Sequence, residues 1–599
     1  MPQSGRTALI VTRAIRGFRP STRGHARARA GAGAGAGTGV RTAGSATSAT
    51  SRTITVAAAL VGLLAASVLV PVAGAGATGT GPASVLAKSG PSGEGPYPWA
   101  YPASGNLKAG TGKTASGAAC TAGTPQFASP YAAPCVPKSK GNNGGATYDG
   151  VTATTITLAQ REFPNAADTE EIEAQAKAAG AAIPQVITQV QQVFLNYFNQ
   201  VYNLYGRHVV IKPYITQASF TTEELGQGQP QACADADAIA NQVHAFGETG
   251  MTNGTSFGGT APFSQCAAQD HLVEFNGNPY YDEASFESLN PYVWSTSQDC
   301  TRISSAEAEV VATMLGGKKA IYAGDANLKD QTRKFAAFVP NVPQYLNCTK
   351  NFINLAENKY HLNKNELSPS FDYNLDIATF QQSAQQAIIQ FKAAGVTTVI
   401  CSSDPFSLGL LTKAAAAQNY HPEWFMTGSA LTDLDQVAQG LYDPAEIQGH
   451  MFGMSESAPS TATTGPSSLA GKLYQTLTGH QIPKGTDGNY SQLVEIFNAL
   501  QAAGPDLTPA NMARGIHALP PLGAPNYQYG LWTWNTGPTG VPGGGDHGAS
   551  DDARFVFWDG TKTSPLNGIK GTFVAAFGGK RFALGQWPTT LPPPLFGPS

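Results

Sequence analysis

The chain is 599 residues long, carries a formal net charge of −3 at pH 7, and devotes only 13% of its residues to Asp, Glu, Lys and Arg, roughly half the usual share. The charge is unevenly placed: Met1 to Arg52 hold nine arginines and no acid, so the other 28 basic residues face all 40 acidic ones, a balance of −12. A body of that sign argues against a nucleic-acid surface of the ordinary basic kind.

The first 77 residues read as a basic leader followed by a signal peptide or membrane anchor. Gly31 to Gly37 is a Gly/Ala repeat, and Ile54 to Ala73 is the long uncharged apolar stretch, just sufficient to cross a bilayer. Ala73-Gly74-Ala75 and Ala75-Gly76-Ala77 are small-x-small sites that a signal peptidase accepts. The arginines ahead of the stretch should stay cytoplasmic, which sends the rest of the chain outward. Residues 78–146, rich in Gly, Pro and Ser, read as a flexible linker. The seven cysteines contain no C-x-x-C pair. In an oxidising compartment, sequence proximity pairs Cys120 with Cys135, Cys233 with Cys266 and Cys300 with Cys348, leaving Cys401 as a core residue.

From Thr147 onward, short β-branched runs alternate with amphipathic segments, the pattern of a parallel sheet covered by helices. The expected order begins with a strand at Thr154 to Ala159, a helix at Ile183 to Tyr205 and a strand at His208 to Tyr214. A helix at Ala232 to Gln242, a strand at Val243 to Phe246, a helix at Phe263 to Gln269 and a strand at His271 to Phe275 complete a first lobe. After a crossover at Tyr292 to Ser297 the theme repeats, with a helix at Ile303 to Leu315, a strand at Lys319 to Ala323 and a helix at Gln331 to Phe338. A helix at Phe380 to Ala394, a strand at Thr397 to Cys401, a helix at Leu408 to Gln418 and a strand at Trp424 to Thr427 follow. Helices at Leu469 to Leu477 and Ser491 to Ala503, then a hairpin of Ala553 to Trp558 with Gly571 to Phe577, end the chain. The fold class is α/β, with two Rossmann-like lobes joined by a hinge. The first lobe takes about 150–297 and 430–530, the second about 298–429 and 531–590.

Four segments carry a resemblance that covers about residues 150–590: TTITLAQ from Thr154; NPYVWSTSQD, Asn290 to Asp299, with KKAIYAGD, Lys318 to Asp325; the run from Gly395 to Tyr420; and YSQLVEIFNALQAAG, Tyr490 to Gly504. In order and character they resemble the type I periplasmic binding proteins of the leucine/isoleucine/valine-binding family of ABC importers. The resemblance implies a small polar solute held in the cleft between the lobes, closure about the hinge, an ABC permease as partner, and neither catalysis nor a cofactor. A ligand-sensing or wall-associated receptor on the same fold is the nearest alternative.

Ligands of open α/β sheets sit beyond the carboxyl ends of the strands, at helix amino termini. Two such places stand out. The loop Asn253 to Gly259 offers Thr255 and Ser256 among glycines, and the resemblance implies that Ser256 donates to a ligand carboxylate. The turn Ser402-Ser403-Asp404-Pro405 follows a strand directly. Asp404 before a proline is also a helix-capping signal, and both roles can hold together. Gln298 and Asp299 at the crossover, Asp325 after KKAIYAG, and Tyr280 with its neighbour Tyr281 are further candidates.

The loop at Gly254 to Gly258 matches G-x-S-x-G, which raises a serine hydrolase with Ser256 as nucleophile and Asp404 with His517 or His547 as partners. A nucleophile elbow needs a strand ending just before the serine, and none is expected there. GTGKT, Gly110 to Thr114, has Leu107 where a phosphate-binding loop needs glycine, no H-E-x-x-H occurs, and the pairs Glu170-Glu171 and Asp551-Asp552 fall in segments expected to be solvated. No metal site is expected.

Overall fold

The computed structural model describes residues 112–596, apart from 114–116, 118, 121–123, 139–141, 165–183, 225, 252–259, 278–279, 429–431, 458–464, 524–532 and 537–546. The basic leader and the apolar stretch 54–73 lie outside the described residues. No helix among the described residues is long and apolar enough to cross a membrane.

The first lobe is built on β1 (Thr155–Glu162), β2 (His208–Ile215), β3 (Gly247–Glu248) and β4 (Val273–Glu274), all parallel in the order β2-β1-β3-β4. The helix Pro184–Val201 turns Val190, Phe194, Phe198 and Val201 onto the core, as its spacing of 3 and 4 requires. There it meets the helix Gly488–Ala502, with Phe198 packed on Tyr490 and Phe497. Each such ring, taken fully out of water, contributes about 1.5–3 kcal/mol. The helices Gln229–Asn241 and Ala261–Gln269 are joined by the disulfide Cys233–Cys266.

The end of the expected linker is docked on this lobe. Tyr131 is buried in the same core and Phe127 packs against it, while Asn498 Nδ2 donates to the Tyr131 carbonyl at 2.8 Å and its Oδ1 accepts from Ala133 N at 2.8 Å. Two aromatic rings with a groove to fill outweigh the flexible composition around them.

The second lobe holds β5 (Phe335–Pro340), β6 (Phe371–Tyr373), β7 (Thr398–Cys401), β8 (Glu423–Met426), β9 (Met451–Ser455), β10 (Asp552–Thr563), β11 (Lys570–Ala575) and β12 (Arg581–Ala583). The sheet runs β11-β10-β9-β8-β7-β5-β6, parallel from β9 to β6, with β10 antiparallel to β9, β11 and β12. Strands β5, β7, β8 and β9 are buried along their whole length, which is why they read as continuous apolar runs rather than alternating ones. One core packs Phe380, Phe391 and Trp424 on one face, and another packs Phe352, Phe425 and Phe452 on the other.

Two expectations are overturned here. Lys319 to Ala323 forms no strand: it is an irregular excursion with Ala320 and Ala323 buried in the core and Ile321 54% exposed, and the expected helix Gln331 to Phe338 is strand β5. The excursion is pinned by Arg333, whose Nε and Nη2 donate to Glu423 at 2.7 and 2.9 Å, while Tyr322 N donates to the same carboxylate at 3.1 Å. The lobe boundaries also move. Val437, Ala438 and Met451 belong to the second-lobe core, and Trp534 and Ala549 to the first, because β9 extends the second sheet.

Three connections therefore join the lobes, near residues 294–299, 455–457 and 550–552. They are bonded to one another: Ser295 N donates to the His547 carbonyl at 2.8 Å, and Gln298 N to Glu456 Oε2 at 2.9 Å. Asp551 and Asp552, expected in solvent, are tied into this joint by ion pairs with Arg302 and with Arg581, the latter at 2.7 Å. All three expected disulfides are present, and Cys401 is free and buried.

Candidate functional site

The carboxyl ends of β7 and β8 open on a cavity of about 30 Å³ lined by Tyr280, Cys300, Ile303, Ser304, Glu307, Tyr345, Cys348, Thr349, Ser402 and Thr427. Ser402 is there because β7 ends at Cys401 and the helix Pro405–Ala417 begins four residues later. Cys300, Ile303, Ser304 and Glu307 form one stripe of the helix Cys300–Glu309, and Tyr345, Cys348 and Thr349 form a stripe of the helix Pro343–Asn358. The disulfide Cys300–Cys348 locks the two stripes together. Tyr280 comes from the loop after β4 of the first lobe and stacks on Tyr345, ring centroids 5.5 Å apart and planes 23° apart. The cavity thus has walls from both lobes.

Its polar groups are poorly satisfied from within. Glu307 is 4% exposed and its Oε1 has no partner, and the Tyr345 hydroxyl is buried without one. Burial pushes the Glu307 carboxyl up to about 8, against the pull of the neighbouring Ser402 hydroxyl. At neutral pH it is therefore mostly a neutral acid, able both to donate and to accept. Burial likewise holds the Tyr345 phenol well above its ordinary range, so it stays a donor. No lysine or arginine is among the described residues of the lining.

The expected candidates divide. Ser402 and Tyr280 line this cavity. Ser403 lies beside it, fully buried with its hydroxyl unpartnered. Asp404 does not face the cleft: its Oδ1 caps the helix by accepting from Phe406 N and Ser407 N at 2.9 and 2.8 Å, and its Oδ2 accepts from the Tyr373 and Ser407 hydroxyls. Asp299 is likewise a cap, accepting from Arg302 N at 3.0 Å, and Gln298 is bound into the hinge through Glu456. Asp325 lies at the other end of the sheet, accepting from His421 N at 3.1 Å just before β8; it was placed by the strand that does not form. Thr255 and Ser256 lie outside the described residues. Glu307 and Tyr345 were missed, since a lone polar residue on a helix gives no signal of its own, and so was Thr427, which directly follows β8.

A larger cavity of about 230 Å³ lies at the hinge, lined by Thr296, Ser297, Glu456, Ser457 and Ser550 from the three connections, by Trp534 of the first lobe and by the amino end of the helix Gly488–Ala502. At the carboxyl edge of the first sheet, Arg161 is buried among Glu223, Asp235, Glu248 and Glu274, pairing with Glu223 and lying over the Phe263 ring at 4.0 Å. Burial lifts Glu248 to about 7 and Glu274 to about 8, which lowers the negative charge that the one arginine has to balance.

The residues named for a hydrolase triad are committed elsewhere. Asp404 is a cap, His547 Nδ1 is bonded to Glu283 at 2.8 Å, and His517 Nδ1 donates to the Thr536 carbonyl at 2.6 Å.

The chain matches no protein-family model and no curated protein. Among solved structures it is similar to a closed leucine-, isoleucine-, valine-, threonine- and alanine-binding protein from Brucella ovis, at 15% identity and a TM-score of 0.48 over 73% of this chain and 97% of that one. An ABC transporter substrate-binding protein from Aeropyrum pernix gives 12% identity and a TM-score of 0.47 over 72% and 96%. A fatty acid ABC transporter substrate-binding protein from Thermomonospora curvata gives 14% and 0.45 over 74% and 96%. These likenesses are distant; the two lobes are seen directly in their separate sheets and three connections.

Proposed function

We propose that the protein is an exported solute-binding protein that delivers a small polar solute, amino-acid-like or peptide-like, to an ABC permease. The observation that carries this reading is the cavity at the carboxyl ends of β7 and β8, which takes Tyr280 from one lobe and Glu307, Tyr345 and Ser402 from the other. A solute that satisfies the unpartnered Glu307 and Tyr345 atoms of the second lobe and at the same time packs against Tyr280 of the first has its full set of contacts only when the lobes are together, so it selects the closed state. With no cation in the described lining, the groups suit hydroxyl or amino functions of a solute better than an acid. An amino group would draw Glu307 into its ionised form, with affinity rising about tenfold per pH unit up to about pH 8.

The test is calorimetric titration with amino acids, short peptides and polyols, accompanied by small-angle X-ray scattering to follow closure. A bound solute should compact the protein, and Ser402→Ala and Tyr345→Phe should each weaken binding several-fold. Binding that leaves the scattering unchanged, or that both variants retain in full, would count against the reading.

A further inference from the structure

We propose that Glu283, Glu287 and His547 form a binding site for a first-row divalent transition ion, Zn²⁺ foremost, that ties the third connection between the lobes to the first lobe. One donor atom from each of the three residues lies within 4.8 Å of the other two. Glu283 and Glu287 are four residues apart on the helix Glu283–Leu289, so they share a face, and His547 arrives from the segment that runs into the third connection. Four-coordinate Zn²⁺ needs donors about 3.3 Å apart, given bonds of about 2.0–2.2 Å to nitrogen and oxygen. His547 Nδ1 and Glu283 Oε1 already stand 2.8 Å apart, and Glu287, the exposed member, can close by rotating its side chain. An imidazole with two carboxylates suits such an ion better than Ca²⁺ or Mg²⁺, which take oxygen.

A second, separate observation concerns the far side of the imidazole. His547 is fully buried and its Nε2 has no partner. That residue lines a cavity of about 40 Å³ together with Glu495, whose Oε2 is also buried without a partner. With no ion, Nδ1 is bonded to Glu283 and Nε2 is left without a partner. An ion on Nδ1 moves the proton to Nε2, and a metal-bound histidine characteristically donates its other N–H to a carboxylate or a water. The cavity supplies the carboxyl of Glu495 and room for a water to relay to it. His517, its ring centroid 5.5 Å from that of His547, has its Nδ1–H held by the Thr536 carbonyl; a water completes four-coordination.

This inference is independent of the solute and its cleft. The test is titration of the metal-stripped full-length protein with Co²⁺, read by the visible bands of four-coordinate cobalt, followed by displacement with Zn²⁺. One saturable equivalent per chain is expected, with a rise in Tm. Glu287→Gln, at an exposed position that leaves the fold intact, should weaken Co²⁺ binding at least about tenfold, and His547→Gln should abolish the four-coordinate spectrum. No saturable binding, or unchanged affinity in Glu287→Gln, would overturn the proposal even if His547→Gln fails to fold.

Discussion

Replacing Glu307 by glutamine keeps the shape of the side chain and removes its titration. In the folded protein burial raises this carboxyl from its ordinary value of 4.5 to about 8, so the folded state holds the proton over a range in which the unfolded chain has lost it. The contribution to stability is fully present below pH 4.5, where both states are protonated. It falls as the pH rises toward 8, where the folded carboxyl ionises as well. At roughly 1.4 kcal/mol per pH unit, the wild type should lose about 3 kcal/mol between pH 4.5 and 7 that Glu307→Gln keeps. For a lobe of about 200 residues that is a difference of about 6–12 °C in its unfolding temperature. Scanning calorimetry of both proteins at the two pH values measures it. The variant should be the more stable at pH 7 and nearly equal at pH 4.5, while binding an amino-bearing solute more weakly. Parallel pH dependence in the two proteins would show that Glu307 is solvated and ionised, and would refute the reasoning.

Other consequences follow from the same geometry. Arg161→Met leaves Glu223 and Asp235 buried without their cation and should cost about 3–5 kcal/mol by urea unfolding. Asp404→Ala should cost about 0.5–2 kcal/mol through loss of the helix cap, with solute affinity unchanged in calorimetry; a large loss of affinity at unaltered stability would return Asp404 to the cleft. Replacing Cys300 and Cys348 together by serine opens a loop of 48 residues and should destabilise the second lobe by about 4 kcal/mol. Solute affinity should fall in the same variant, because the two helix stripes that carry Glu307 and Tyr345 lose their lock.

The strands were legible wherever a β-branched or aromatic run ended at a turn residue: TTITLA, HVVIKPY and TTVIC all fall within one residue of the observed starts of β1, β2 and β7. KAIYA and KFAAFVP defeated the same reasoning. Both are short apolar runs beside basic residues, and periodicity cannot rank them. What decides is tertiary: the run before β5 is tied to the start of β8 by the bidentate pair of Arg333 with Glu423 while β5 pairs with β7, and Ile321 is left facing outward. The lobe boundary near 430 failed for a similar reason, since MFGMS carries a glycine and two methionines and gives a weak strand signal, yet it closes the parallel part of the second sheet.

The candidate site was half legible. Ser402 follows from a strand, a turn and a helix in succession, whereas Glu307 and Tyr345 are single residues inside helices. Their meeting was nevertheless implied by a feature already in hand. Once Cys300 and Cys348 are paired, the residue seven positions after the first cysteine and the residue three positions before the second must face the same seam. Those residues are Glu307 and Tyr345. A disulfide between two helices fixes which of their faces meet, and unpartnered polar side chains on those faces at the carboxyl edge of a parallel sheet mark where a ligand would complete the structure.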